Sequence, residues 1–316
     1  MRIKKTINNL KLELFFICRL IREGYGPKYW WPYVKNNFFG NYLFNYLPYY
    51  KYTADPDLEL HITCSSKHLW MLAWMLHSFF AQSGLRPNIF IHEDGSISKA
   101  TARLIQSKFA NVTVMFRDET TKRILEMPEI PEIIKKARIS SHFFLDKLLN
   151  TAIFSKAKRI LLSDVDILYF KPPTEVIDFM TGKTNLDALG QQSLESSEPY
   201  DLKMDDYYVN KYHLDEKRLY LMNGGYLMLD RRKLNTDQIA EYLEHVQMPF
   251  TDYFIEMSGW ACILAQLNFK YLSPHQYAIK GRLNDTMVMK HFTSPRRYEM
   301  FAYGIDIAKS KIKSQT

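Results

Sequence analysis

Asp164 and Asp166 stand two residues apart at the end of an apolar run, Lys158-Arg159-Ile160-Leu161-Leu162-Ser163. In an extended chain that spacing puts both carboxylates on one face. The Ile-Leu-Leu run predicts a buried strand, so the pair emerges at its carboxyl end, where ligands bind in open α/β sheets. Two carboxylates side by side repel unless a cation lies between them. A hard divalent ion such as Mn²⁺ or Mg²⁺ accepts one or two of them and completes its shell with phosphate oxygens. The chemistry this suggests is neutralisation of charge developing on a diphosphate leaving group. The competing reading of the triplet is a solvated turn at a strand end.

The elements that must position this pair follow from the patterning. Strands are expected at Leu58–Cys64, Asn88–His92, Asn111–Phe116 and Lys158–Ser163. Helices are expected at Lys67–Phe80, apolar on most faces and hence buried, at Ser98–Phe109 with Ser96 or Ser98 as cap, and as one long element at Ile139–Phe154. Strands alternating with helices imply a parallel, doubly wound sheet. The rhythm then changes. Asp187–Gln191 and Leu219–Leu229 read as strands around a loop-rich insertion. Helices follow near Thr236–Val246 and Ser258–Leu267, then short strands at Tyr271–Ser273 and Met287–His291, and a basic tail.

Residues 1–57 form a different region, an N-terminal basic and aromatic extension to a domain spanning 58–316. A cationic start leads into an apolar stretch and then an aromatic run from Tyr29 to Tyr52, with Lys28, Lys35 and Lys51 interleaved. Trp and Tyr sit well at the head-group level of a membrane, so one reading is a peripheral contact with an anionic surface. The other is a helical arm packed on the main domain.

The chain has 316 residues, 47% hydrophobic and 15% aromatic, with a formal charge of +8. That is enough for one large α/β domain or two small ones, with a sizeable core. The charge is not gathered in a polybasic tail, which argues against nucleic acid as a partner. Cys18, Cys64 and Cys262 are far apart, which suits a reducing cytoplasm better than a disulfide framework. No apolar run is long enough to span a bilayer, and the N-terminus is a poor fit to a signal peptide.

Over about residues 58–304 the chain resembles the nucleotide-sugar-dependent glycosyltransferases of the GT-A fold. Within these it is most similar to the broad group around family 8, the glycogenin and lipopolysaccharide galactosyltransferase type. The resemblance rests on the CSSKH loop after the first strand, KRILLSDVDILYFKPP, LYLMNGGYLMLDRRKL and MKHFTSPRR, in that order. It implies an α/β fold with a Rossmann-like mixed sheet flanked by helices. It implies that Asp164 contacts the donor ribose or the metal, that Asp166 ligates the metal, and that His291 is the third protein ligand. An imidazole in the set suits Mn²⁺ better than Mg²⁺.

Other positions are candidates on their chemistry or through the same resemblance. Arg296 and Arg297 can hold a diphosphate in a bidentate way, where the family more often has a glycine-containing loop and a lysine. In Asn223-Gly224-Gly225 the glycines allow close approach to a ligand and the amide can read sugar hydroxyls. The alternative there is a β-bulge without a ligand. Lys147, on the helix before the motif strand, stands where the resembling enzymes direct a basic residue at the donor. Glu256 falls where they place an acidic residue near the anomeric carbon, as a base or as a stabiliser of an oxocarbenium-like transition state. Met257 follows it in place of the family's Gln. Asp252 competes with Glu256 for that role, and Asp187 is a weaker third candidate. Thr63, Ser65 and Ser66 would line the nucleotide base, with Asp94 near the uracil or ribose; Ser65 or Ser66 could instead cap the following helix.

The function expected is metal-dependent transfer, with retention, from a nucleotide-diphosphate sugar, a UDP-sugar above all. The acceptor is a glycan, a glycolipid or a protein glycan. The alternatives are a catalytically inactive nucleotide-sugar-binding module, or a sugar nucleotidyltransferase. The latter usually carries a glycine-rich loop after its first strand, and CSSKH has no glycine.

Overall fold

In the computed structural model the described residues are 2–192, 203–215 and 221–313. Among these described residues ten strands form two sheets. The main one has seven, in the order β3-β2-β1-β4-β7-β6-β8. These are β1 Asp55–Cys64, β2 Pro87–Glu93, β3 Val112–Met115, β4 Arg159–Asp164, β6 Ala188–Gln192, β7 Met222–Asp230 and β8 Phe269–Tyr271. A small sheet joins β5 Ile167–Tyr169, β10 Met289–His291 and β9 Tyr277–Ala278, in that order.

The first half of the main sheet is parallel, as the alternation predicts. In the second half β7 runs antiparallel to both β4 and β6, which makes the sheet mixed, as the resemblance implies. Alternation along β1 sorts its side chains between two layers. Leu58, Leu60, Ile62 and Cys64 enter the core under the helix Leu69–Ser83, while Glu59 and His61 are buried toward the opposite side. That opposite layer is built from the helices Glu132–Ser140, Asp146–Phe154, Thr236–His245 and Ile255–Ala265.

The single long helix expected at 139–154 is two helices. Ser141 and His142 are extended, with ψ of 163° and 164°, and a 3₁₀ turn at Phe143–Leu145 leads into Asp146–Phe154. Arg117 holds the break by donating to the carbonyls of Arg138 and Ser141 at 3.2 and 2.9 Å, which satisfies the carbonyls a helix end leaves free.

Under the second of these helices runs a chain of polar groups with one direction. The Arg138 guanidinium donates to the Asn150 carbonyl at 3.4 Å, and the Asn150 amide pairs with His92 Nδ1 at 3.1 Å. His92 Nε2 pairs with His61 Nδ1, and His61 Nε2 with the Glu59 carboxylate, both at 3.0 Å. One tautomer at each ring, with the proton on Nε2, satisfies every link. Burial lowers the pKa of both imidazoles, so both are neutral.

The N-terminal region is helical at Arg2–Arg22, Trp30–Phe38 and Gly40–Phe44. It packs on the main domain, and Leu20, Tyr33 and Phe44 are buried in the same core as β1. Its partners lie near the other end of the chain. Arg19 donates to the Pro295 carbonyl at 3.1 Å, Tyr298 to the Glu23 carboxylate at 2.7 Å, and Asn36 to the Phe301 carbonyl at 2.9 Å. The Asn36 carbonyl also accepts from Trp70 at 3.3 Å. No helix among the described residues is long and apolar enough to cross a membrane.

Candidate metal and diphosphate site

β4 ends at Asp164, and Val165 and Asp166 form a turn into β5. The two carboxylates therefore converge from a strand end and a turn rather than from one strand face. β10 pairs antiparallel with β5 and sets His291 opposite Ile167, and the Phe292 amide donates to the Asp166 carbonyl at 2.7 Å. This small sheet carries a residue 125 positions away to the aspartates. Ligating atoms of Asp164, Asp166 and His291 all lie within 4.8 Å of one another. His291 Nε2 is 3.1 Å from Asp166 and 3.8 Å from Asp164.

The ring is fixed from behind. Gln191, near the end of β6, donates its amide to the Tyr277 carbonyl at 3.0 Å, which turns its oxygen toward His291 Nδ1 at 3.1 Å. That oxygen places the proton on Nδ1, directs Nε2 to the carboxylates, and is the kind of support metal-binding histidines use. Gly225 makes room for the group. A Cβ there would lie 2.4 Å from His291 Cε1 and 2.5 Å from an Asp164 oxygen. Two carboxylates and a buried imidazole around a cradle that any side chain would fill fit Mn²⁺, with Mg²⁺ the poorer match to an imidazole.

Cations surround the carboxylates. Arg297 Nε donates to Asp166 at 2.8 Å. Burial alone would raise the Asp166 pKa, but His291 and then Arg297 outweigh it and hold the carboxyl well below the usual range. The buried Lys147 ammonium lies 3.1 Å from Asp164, 3.2 Å from Glu256 and 3.4 Å from the Gly224 carbonyl. Burial opposes its charge, yet Asp164 and Glu256 prevail and keep it protonated. The Glu256 pKa is raised, first by burial, with Asp164 adding to the shift and Lys147 opposing it. Glu256 also accepts from Trp260 at 3.0 Å.

These groups line a cleft of about 370 Å³. Thr63, Ser65, Asp94, Lys147, Asp164, Asp166, Asn223, Gly225, Glu256, His291 and Arg297 all face it. Thr63 is beside Asp164 in the β1–β4 register. The Ser65 hydroxyl makes no helix cap; it pairs with His68 Nδ1 at 2.8 Å. Asp94 holds Ser96 through its backbone N–H and hydroxyl, and the Ser96 hydroxyl accepts from the Ser66 amide at 2.8 Å. Ser66 is thus tied into the loop rather than facing the cleft. Asn223 accepts from the Gly225 amide at 2.9 Å.

Three candidates lie elsewhere. Asp252 accepts from the Phe254 amide at 2.8 Å and shapes the turn before the Glu256 helix. Arg296 pairs with Glu299 outside the cleft, leaving Arg297 as the arginine that enters it. Asp187 accepts from the Asn268 amide at 3.2 Å, next to the start of β6 and remote from the strand ends that form the cleft.

Gln191 and His68 are participants that the sequence reading does not single out. His68 Nε2 is 3.4 Å from the Arg297 guanidinium. Burial, then the charges of Arg297 and Lys67, lower its pKa to about 4. It is therefore a neutral prop for that arginine at neutral pH. Its place in CSSKH was a signal available in advance. A lone Gln on a strand offered none.

The architecture is that of the GT-A glycosyltransferases. Over 85% of its length the chain superposes on 53% of the bifunctional glycosyltransferase WbbM, with a TM-score of 0.54 and 12% identity; it thus spans about half of that protein. Galactosyltransferase LgtC, solved with donor and acceptor sugar analogs, matches 81% of this chain and 95% of its own at a TM-score of 0.48 and 12% identity. Mouse xyloside xylosyltransferase 1 matches 79% and 99% at 0.47 and 11%. No family model matches the sequence, and no curated protein matches it.

Proposed function

We propose that the chain is a metal-dependent glycosyltransferase, moving a sugar with retention from a nucleotide-diphosphate donor, a UDP-sugar first of all, to a glycan, glycolipid or protein-glycan acceptor. The observation that carries the reading is the convergence of Asp164, Asp166 and His291 within 4.8 Å at the carboxyl end of β4. Bound there, Mn²⁺ would supply electrostatic stabilisation of the diphosphate leaving group.

This chain's own residues have the following roles. Arg297 pairs with the diphosphate at the cleft rim, supported by His68. Lys147 puts a buried positive charge beneath the donor, in a setting that strengthens it. Asn223 and the Gly224-Gly225 backbone contact the donor sugar. Glu256, held between Lys147 and Trp260, faces the anomeric carbon, where its carboxylate stabilises positive charge or takes the acceptor proton. Thr63, Ser65 and Asp94 hold the nucleoside.

The test is incubation with UDP-, GDP- and dTDP-sugars and Mn²⁺, following nucleotide diphosphate release. Metal-dependent release with at least one donor is expected, with EDTA abolishing it. No release and no metal-dependent nucleotide binding would overturn the proposal. Pyrophosphate release from a nucleoside triphosphate and a sugar phosphate would favour a nucleotidyltransferase instead.

We propose further that the protein works in the cytoplasm, with a peripheral membrane contact through residues 1–57. Residues 1–52 hold nine Lys or Arg against two Glu, most of the chain's +8. Trp30, Trp31, Phe38, Phe39, Tyr42, Tyr46 and Tyr49 are exposed there. Aromatic rings beside positive charge suit anionic head groups. Replacing Trp30 and Trp31 by Ala should weaken sedimentation with phosphatidylserine vesicles about tenfold; unchanged sedimentation would make the arm structural only.

A further inference from the structure

The cleft has a second wall that the donor chemistry leaves unused. Phe143 and Phe144, in the 3₁₀ turn before Lys147, meet Tyr253 and Phe254, just before the Glu256 helix. The four rings form one continuous run, with successive centroids 4.3, 4.9 and 5.2 Å apart, and all four face the cleft. Tyr253 is 64% exposed and Phe254 39%. The backbone beneath them is fixed, because Ile255 is fully buried and its carbonyl accepts from Tyr242 at 2.7 Å. Rigid backbone under open rings is a prepared surface rather than a frayed loop.

The position of this wall selects its occupant. Phe143 and Phe144 precede the helix that carries Lys147, Tyr253 and Phe254 precede the helix that carries Glu256, and those two side chains lie 3.2 Å apart in the cleft. The wall therefore borders the sugar-handling end of the cleft, whereas Thr63, Ser65 and Asp94 mark the end where β1 and β2 stop. A wholly apolar ligand placed here would meet buried charges across the gap. A pyranose ring meets both demands: its C–H face packs on an aromatic ring, and its hydroxyls remain free for polar partners.

We infer that Tyr253 and Phe254, backed by Phe144, form the acceptor subsite and stack a pyranose ring of the acceptor with a hydroxyl toward Glu256. This rests on the transferase reading of the cleft.

The test uses the full chain loaded with Mn²⁺ and whichever of UDP or GDP it binds. The probes are methyl β-galactoside, methyl β-glucoside, methyl α-mannoside and methyl N-acetyl-β-glucosaminide, observed by saturation-transfer NMR. At least one glycoside should receive saturation. Tyr253→Ala and Phe254→Ala should each weaken that binding about tenfold, Tyr253→Phe should preserve it, and nucleotide affinity should stay within about twofold in all three. Both rings are exposed, so these variants fold.

Binding of nucleotide without any glycoside, or alanine variants that bind glycoside as tightly as the parent, would overturn the acceptor subsite alone. Loss of nucleotide affinity in step with glycoside would assign the rings to the nucleobase and overturn it equally. Failure of both nucleotides to bind in the presence of Mn²⁺ would overturn the transferase reading and the subsite with it.

Discussion

One helix, Asp146–Phe154, borders two groups of histidines, carboxylates and cations, one buried and one open to a cleft. Its middle joins Arg138, Asn150, His92, His61 and Glu59 into a single-file chain. Its start sends Lys147 into the cleft with Asp164, Asp166, Glu256, His291 and Arg297. In the chain every donor meets an acceptor along one direction, the imidazoles are neutral, and nothing is left to offer a ligand. In the cleft the carboxylates converge on a hollow kept open by Gly225, with cations at its margin. The same residue types close on one another in the first group and leave a hollow between them in the second.

The contrast breaks most visibly at Asp166. Asp166→Ala should cut donor turnover on the order of 10³-fold while the circular dichroism spectrum is retained; full turnover would remove the metal from the proposal. Gly225→Ala fills the cradle and displaces His291 or Asp164, so roughly 10²-fold loss of turnover is expected. A crystal structure of that variant with an undisturbed triad would contradict it. Gln191→Leu frees the His291 ring, and Mn²⁺ affinity by titration calorimetry should fall about 10–100-fold; unchanged affinity would show that Gln191 does not orient it.

The smallest effect on turnover belongs to the other group. His92→Leu leaves the Asn150 amide without its ring acceptor and His61 Nδ1 with the Thr151 hydroxyl alone at 3.3 Å, and should cost about 1–3 kcal/mol of stability, with turnover per folded molecule within a few-fold. A large loss of turnover would mean that the two groups are coupled.

Acid separates them as well. His61 and His92 have pKa values below the ordinary 6.5 when folded, so their contribution is complete above about pH 6.5. As pH falls below that value the unfolded chain takes up protons first, and stability declines. The Glu59 pKa is also lowered from 4.5, because hydrogen bonds from His61 and from the amides of Lys156 and Ala157 outweigh burial, and it adds a decline in the same direction at lower pH. Urea midpoints should drop between pH 7 and 5, less steeply in His92→Leu; a rise on acidification would refute the neutral assignment.

Much of this was legible in the sequence. A buried Ile-Leu-Leu run announced β4, and Asp164, Asp166 and His291 are brought together although the third is 125 residues away. The break at Ser141-His142 was not legible, since the apolar periodicity passes through it and it is held by distant Arg117 on the carbonyls of Arg138 and Ser141 and by the buried Arg138–Asp146 ion pair across it. Nor was β7's direction, because an apolar strand reads alike in either sense. Asp252 and Arg296 have suitable chemistry, but a one-residue difference beside Arg297 decides which arginine enters the cleft, and such phase is set by tertiary packing. Gln191 works through a bond to a backbone carbonyl 86 residues away, which no local pattern encodes.

The bonds that tie the N-terminal helices to the residues around Tyr298 span 265 to 276 positions. Synthesis runs from the amino end, so residues 19–36 leave the ribosome long before Pro295, Tyr298 and Phe301 exist to receive them. Contacts of such separation form late. The Asn36–Trp70 bond spans only 34 positions, so it is the clasp onto Pro295, Tyr298 and Phe301 that closes last. In pulse proteolysis of the refolding chain, residues 19–36 should gain protection last, after the seven-stranded sheet has resisted cleavage.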